Sequence, residues 1–275
     1  MQIVKNPELD WDKLVTFRRE AAAHVKSKEL WDWEYKYADA FFMMDGDIIV
    51  GQESIQPIVW NCKGSQHYHG LSFDSAVHPG YRGQGIFSKL VEHAVKECDY
   101  DMYYGFANAN SIHGFERLGW QNMGQVKLIE RLVNSISKNP TRFKEVTLFV
   151  EKPLHVENFN AYKEYGVDDL NYRYVFKPGN NYKIFGLDGK TEQFVVLNTF
   201  VDERKKVVQV MDSTITHEFI PDVTTVVNNF CLDNGCREYR MFSSEGTVEK
   251  QAWLIFYPKT NAHDVNMHFG DWDVT

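Results

Sequence analysis

Between Val77 and Leu90 the chain reads VHPGYRGQGIFSKL. Gly80, Gly83 and Gly85 flank Arg82 between an apolar run and an apparent helix. Glycine lets a backbone approach a ligand closely, and the first turn of a helix presents unpaired N–H groups at its positive end, an effect worth about 0.3–1 kcal/mol at exposed sites. The chemistry expected of this loop is phosphate binding. Two common cradles are excluded: the chain has no G-x-x-x-x-G-K-[ST], and Gly80-x-x-Gly83-x-Gly85 is not G-x-G-x-x-G. Upstream, HYHGLSFDSAV carries two histidines at alternate positions. In an unbroken strand His67, His69, Leu71, Phe73, Ser75 and Val77 share one face, and Asp74 faces the other way unless a bulge intervenes at Gly70. Two histidines without a third ligand do not make a metal site, so no metal is expected.

These residues need elements to hold them. Apolar residues recur with helical spacing over residues 9–22 and 26–37, and Asp10 or Asn6 is available to cap the first helix. FFMMDGDIIVGQESIQPIVW reads as a hairpin turning at Asp45-Gly46, because that dipeptide supplies positive φ between two β-rich runs. A strand ending at Val77 follows. Past the glycine loop, Ile86, Leu90, Val91, Ala94, Val95 and Cys98 fall on one helical face, and residues 102–108 have strand composition. A final pair of strands is expected within residues 121–133, after which Asn139-Pro140 opens a connecting region.

The second half repeats this outline. Residues 34–37 are echoed by residues 171–174, and Asp188-Gly189 sits between two apolar runs as Asp45-Gly46 does. KKVVQVMDSTI resembles the strand before the loop, while IPDVTTVVNNFCLDNG and REYRMF supply a helix and a strand. Only Thr216 to Phe219 join strand to helix in this half, so the repeat lacks the cradle. The organisation expected is a cradle-bearing domain over residues 1–135 and a second domain, without the cradle, over residues 150–275.

Composition limits the function classes. With 275 residues, 43% hydrophobic and 25% charged, the chain is globular with room for two medium domains. A net charge of −8 offers none of the basic excess that nucleic acid or an anionic membrane surface requires. No apolar run approaches the ~20 residues of a membrane span, and the N-terminal residues lack the basic start and apolar core of a signal peptide. A cytoplasmic location is the expectation. Cys62, Cys98, Cys231 and Cys236 show no C-x-x-C spacing and read as free thiols. Asp271-x-Asp273 has the form of the metal-binding triplet of nucleotide-sugar glycosyltransferases, a pattern common by chance.

Arg82-Gly83-Gln84-Gly85-Ile86-Phe87 fits an Arg/Gln-x-x-G-x-G/A signature, and Val77, Pro79, Tyr81 and Leu90 extend the fit to V-x-P-x-Y-R-G-x-G-I-x-x-x-L. A second motif, N-x-x-A/S-x-x-x-Y-x-K-x-G-F, is met by Asn108, Ser111, Phe115, Arg117, Gly119 and Trp120. Over roughly residues 40 to 132 the chain therefore resembles the Gcn5-related N-acetyltransferase (GNAT) superfamily. Its tandem form resembles bacterial N-acyltransferases of nucleotide-linked amino sugars.

The resemblance implies an α+β fold, a mixed, mostly antiparallel twisted sheet flanked by helices, with a second, degenerate copy. It implies acetyl-CoA or another acyl-CoA as cosubstrate. Backbone amides of Arg82, Gly83, Gln84, Gly85, Ile86 and Phe87 would hold its pyrophosphate, and the strand from Ser75 to Val77 would pair with its pantetheine arm. The N–H of Val77 would polarise the thioester carbonyl, and Asn108 would touch the pantetheine. Phe87 replaces a small residue of the signature, leaving the backbone donors intact. Phe115 stands where the family often has the tyrosine that protonates the leaving thiolate; phenylalanine has no such proton, so it is expected to pack beside the sulfur, and no general acid is assigned. His69 is the candidate base for the acceptor. That acceptor is expected to be the primary amine of a nucleotide-linked amino sugar for surface polysaccharide synthesis, and the second domain, over residues 150–275, is expected to form the acceptor pocket or to support the first, with Tyr172, Arg173 and Tyr174 exposed to meet a base or phosphate. A cationic amine or peptide acceptor is the alternative, as is a non-catalytic acyl-CoA sensor.

Overall fold

Helix caps and turn residues place the elements where the local signals ask for them. The computed structural model describes residues 1–62, 64–133, 136–154, 161–202, 205–214, 220–242 and 248–258. The first half runs β1 (Gln2–Lys5), α1 (Trp11–Glu20), α2 (Lys28–Glu34), β2 (Asp39–Asp45), β3 (Ile48–Cys62), β4 (Ser65–Val77), α3 (Ile86–Cys98), β5 (Met102–Asn108) and α4 (Ile112–Arg117). Asp10, rather than Asn6, caps α1, its carboxylate accepting from the N–H groups of Asp12 and Lys13, and Ser27 caps α2. Asn6 instead ends β1, its side chain bonding Ala40 N–H and Asp39. The β2–β3 turn uses Gly46 at φ +57°.

The second half runs β6 (Gln121–Leu132), β7 (Phe143–Val146), β8 (Ala161–Lys163), α5 (Val167–Tyr174), β9 (Lys183–Leu187), β10 (Lys190–Asp202), β11 (Lys205–Thr214), α6 (Ile220–Asp233), β12 (Glu238–Phe242) and β13 (Val248–Pro258). Residues 121–133 hold one twelve-residue strand, β6, and not the pair expected from the sequence. Two compact units emerge, and neither is a simple half of the chain. One comprises Met1–Gln125 with the segment that begins at Gln251; the other comprises Val126–Lys250. The expected boundaries of 1–135 and 150–275 thus miss the return of β13, which pairs with β5 from Ala252 opposite Asn108 to Pro258 opposite Met102.

In the first unit the strand order is β1-β2-β3-β4-β5-β13, antiparallel except for the parallel pair β4–β5, which α3 connects. This is a mixed, mostly antiparallel twisted sheet with helices on both faces. Ile86, Leu90, Val91 and Ala94 of α3 pack with Phe41, Val50, Ile55 and Tyr103 on one face. Leu14, Phe17 and Trp31 of α1 and α2 pack with Ala40, Phe42 and Ile49 on the other. In the second unit the order is β6-β12-β11-β10-β9-β7, with β11 and β12 parallel around α6. Val226, Val227 and Cys231 of α6 pack with Val195, Leu197 and Val208, whereas Leu170 and Tyr174 of α5 pack with Phe194, Val196 and Met211. Tyr174 is core, not the exposed residue expected, because its ring is enclosed and its hydroxyl donates to Asp212 at 2.7 Å. The link at Thr216 to Phe219 and the Asp271-x-Asp273 triplet lie outside the described residues. No helix among the described residues is long and apolar enough to cross a membrane.

Candidate active site

The glycine loop opens α3 as the sequence suggests. Gly83 and Gly85 hold φ of +80° and +73°, values that side-chain-bearing residues adopt only under strain, and a Cβ at either would meet nothing within 4 Å. The space in front of the loop amides is therefore open. Gly85 is the cap of α3 and offers no side chain to its first N–H groups; the first helical bond runs from Lys89 N–H to the Gly85 carbonyl at 3.0 Å. The amides of Ile86, Phe87 and Ser88 thus stay available to an anion. Arg82 is exposed, and its guanidinium folds back on the backbone, with Nε 3.3 Å from the Val77 carbonyl and a terminal nitrogen 3.4 Å from that of Ala21, contacts that tie the loop to the end of β4. The bulk of Phe87 is taken up by Gly114 of α4, where a Cβ would come within 2.7 Å of the ring.

Just before this loop the sheet splits. The parallel register of β4 with β5 ends at Ser72 opposite Gly105, although β4 runs on to Val77 and β5 to Asn108. From Phe73 onward β4 keeps its antiparallel partner β3, ending with Val77 opposite Gly51. The N–H of His78 bonds the Val50 carbonyl at 3.0 Å, so alternation turns the N–H of Val77 to the open edge. An edge of unpaired amides beside an anion cradle suits an extended, amide-containing chain that ends in a phosphate. The pantetheine and pyrophosphate of coenzyme A have that form, and the residues present fit them.

A bulge decides which side chains face which helices. Gln52 pairs with Ala76 and Ser54 with Phe73, leaving Asp74 and Ser75 opposite the single residue Glu53. Asp74 sits at φ +56°. The expected single face from His67 to Val77 is therefore broken, and the break lies at Asp74 rather than Gly70. Phe73 and Asp74 face α1 and α2, where Phe73 meets Tyr35, whereas Ser75 and Val77 face α3.

Each side of the bulge has its own buried polar group. On the α1–α2 side, Asp74 accepts from Arg18 at 2.9 Å, Lys26 at 2.8 Å and the Tyr35 hydroxyl at 2.8 Å, and Lys26 also binds Glu34. Burial pushes the Asp74 carboxyl up, but Lys26 and Arg18 outweigh it and hold it below the usual carboxylate range. On the α3 side, Glu53 is 1% exposed and accepts from Ser72 at 2.6 Å and Ser75 at 2.5 Å. Here burial wins: it lifts the carboxyl to about 7 against the pull of the two hydroxyls, and Asp74 adds to the rise. The sequence reading did not single out Glu53.

Several expected residues end up elsewhere. His69 lies opposite Ile58, eight residues and roughly 25 Å of strand from Val77. It is 4% exposed, stacked on Trp60 with centroids 5.4 Å apart, and burial lowers its pKa to about 4. It stands apart from the cradle and the open edge, and a base for the reaction there is not found in it. Phe115 is 3% exposed and packs in the core between Phe87 and Trp120, at 4.9 and 4.8 Å. The side-chain oxygen of Asn108 is committed to the N–H groups of Asn110 and Ser111, which shapes the turn into α4.

Residues 3–123 match the model of the acetyltransferase (GNAT) domain. Among curated proteins no relative matches the sequence. Solved structures share the fold at low identity. A GCN5-related N-acetyltransferase from Kribbella flavida is 12% identical with a TM-score of 0.65, over 94% of this chain and 70% of that one. A probable N-acyltransferase from Enterococcus faecalis V583 is 9% identical with a TM-score of 0.66, over 94% and 72%. The N-myristoyltransferase of Saccharomyces cerevisiae, solved with bound myristoyl-CoA, is 9% identical with a TM-score of 0.57, over 93% and 78%. The glycine loop, the split sheet and the matched model agree: over residues 3–123 the chain carries an acetyltransferase domain of the GNAT type.

Proposed function

We propose that the protein is an acyl-CoA-dependent N-acyltransferase that transfers the acyl group directly to a primary amine. The observation that carries this reading is the end of β4–β5 pairing at Ser72 immediately before a positive-φ glycine loop. In this reading the amides of Arg82 to Phe87 bind the pyrophosphate, the edge of β4 from Phe73 to Val77 receives the pantetheine, and the Val77 N–H polarises the thioester carbonyl. Asn108 borders the same slot. The amine approaches from the α1–α2 side. The second unit, with its own parallel crossover around α6, is read as a degenerate copy that supports the first and binds no coenzyme.

For the acceptor we carry forward a nucleotide-linked amino sugar. A cleft of about 510 Å³ in the first unit is lined by Trp11, Asp12, Arg19, Lys26 and Lys28, and its Lys26 is bonded to Asp74 at the bulge. Trp11 offers an aromatic face and Arg19 a guanidinium in the same cleft, a combination that suits a nucleotide diphosphate better than a polyamine, whereas Lys26 and Lys28 are already paired with Asp74 and Asp32. The test is thiol release from acetyl-CoA across nucleotide-linked amino sugars, free amino sugars, polyamines and basic peptides. Release that depends on the acceptor is expected, fastest with the nucleotide-linked sugar. Equal rates with free sugars or polyamines would remove that acceptor class, and the absence of acceptor-dependent release would remove the enzymatic reading.

A further inference from the structure

We propose that Ser75, backed by Glu53, gives the proton to the thiol that leaves during acyl transfer. The proposal rests on the reading of the β4 edge as the coenzyme slot. Breaking a thioester leaves an electron pair on sulfur. A thiol with a pKa near 8.5 can depart as its anion, but a positioned proton donor typically adds about 10²–10⁴-fold. Phe115 has no proton to give and is enclosed in the core.

The half-buried Ser75 hydroxyl is differently placed. It lies on the stretch of β4 with the open edge, on the α3 face shared by Val77 and the cradle helix, and bonds Glu53 at 2.5 Å. The other oxygen of Glu53 is taken by Ser72 at 2.6 Å. With so little of Glu53 reaching solvent, Ser75 is its route to the slot. When Glu53 is ionised, both hydroxyls donate to it. When Glu53 is protonated, it donates to the Ser75 oxygen and frees the Ser75 hydrogen to turn toward the edge.

The step then balances. The C–S bond breaks and its pair goes to sulfur; sulfur takes the Ser75 hydrogen; Ser75 takes the hydrogen of Glu53, which becomes a carboxylate. The surplus proton of the acceptor amine passes to solvent, and solvent reprotonates Glu53 through Ser75 before the next turnover. Burial has already raised the Glu53 carboxyl to about 7, so a proton is held there near neutrality. Among the described residues, the titratable groups coupled to it are Asp74, across the sheet at the bulge, and Cys98 at the end of α3; His93, on the same helix, packs against Phe41, the β2 partner of Glu53.

The experiment compares the full-length wild type with E53Q and S75A, using acetyl-CoA and its selenoester analogue, whose leaving selenol is more acidic and needs no donor. With acetyl-CoA both variants are expected to lose about 10²-fold in kcat at unchanged acetyl-CoA affinity. With the selenoester most of that loss should vanish. The fall in kcat above about pH 7 should be present in the wild type and absent in E53Q. Independently of turnover, substrate-free wild type at pH 6 should show an infrared band of a protonated carboxyl that E53Q lacks. Equal losses with both esters, no loss with either, or no such band would overturn the relay. Failure of the wild type to bind acetyl-CoA by calorimetry would overturn the functional reading as well, whereas intact binding with any of those results would overturn the relay alone.

Discussion

The two ends of the β3–β4 ribbon each bury an ionisable side chain, and only one end has the surroundings to use it. At the cradle end, burial lifts Glu53 to about 7; at the hairpin end, burial lowers His69 to about 4. The cause is the same, since a low-dielectric interior disfavours the charged form of an acid and of a base alike. A perturbed pKa therefore marks burial at both ends. What separates them is the backbone: His69 pairs with Ile58 on one side and Met102 on the other, whereas β4 beyond Ser72 has β3 on one side and an open edge on the other.

The largest effect should come from the ionic group that backs the bulge. Arg18 is buried and bonds the His24 carbonyl, Gln52 and Asp74. Arg18→Met leaves those acceptors short of a donor, and removing one partner of a buried ion pair costs about 3–5 kcal/mol. Denaturant unfolding measures that loss. A loss below 1 kcal/mol would mean that Lys26 and Tyr35 hold Asp74 unaided.

Next in size is the pH dependence of Glu53. Its folded-state pKa is raised, so the stability it contributes is fully present below the unfolded value of 4.5 and is lost as pH climbs through about 7. At about 1.4 kcal/mol per pH unit this amounts to about 3 kcal/mol. Relative to Glu53→Gln, the wild type should lose that much between pH 4.5 and pH 8 by denaturant unfolding. A difference that does not vary with pH would place the carboxyl in contact with water.

Gly85→Val tests the cradle itself. Valine at φ +73° strains the backbone by about 1–3 kcal/mol and fills the space before the amides. Acetyl-CoA affinity should fall about ten- to hundredfold by calorimetry, at a wild-type stoichiometry of one per chain. Unchanged affinity in a folded variant would break the comparison at its source, because the cradle end would then be no more functional than the hairpin end.

How much of this was legible depends on how local each signal is. The Asp45-Gly46 turn, the cradle and the apolar face of α3 each lie within a dozen residues, and the structure has them in place. β1 has only four residues, too few for a period to show. The pairing of β13 with β5 joins segments about 150 residues apart, and nothing local in either announces the other. The bulge had one faint signal, an aspartate inside an apolar strand, a residue type that tolerates positive φ better than most. Glu53 had another: Gln52, Glu53 and Ser54 interrupt the apolar run of a strand with neighbours on both sides, so polar groups facing both ways needed buried partners.

The smallest effect on turnover should come from His69. If the hairpin end is structural, His69→Gln fills a similar space beside Trp60 without an ionisable group, and kcat with acetyl-CoA should stay within about twofold of wild type at every pH, inside the error expected for a site far from the chemistry. Stability should respond instead. The folded-state pKa of His69 is depressed by burial, so its contribution is present above the unfolded value of 6.5 and is lost as pH falls toward about 4. Wild type should therefore weaken relative to His69→Gln on acidification through that window, with a difference between them that does not change with pH above it. A fall in kcat at neutral pH that alkaline conditions repair would return the base to His69. It would also require the reacting groups to lie at the hairpin end of β4, some 25 Å of strand from the cradle that the glycine loop builds.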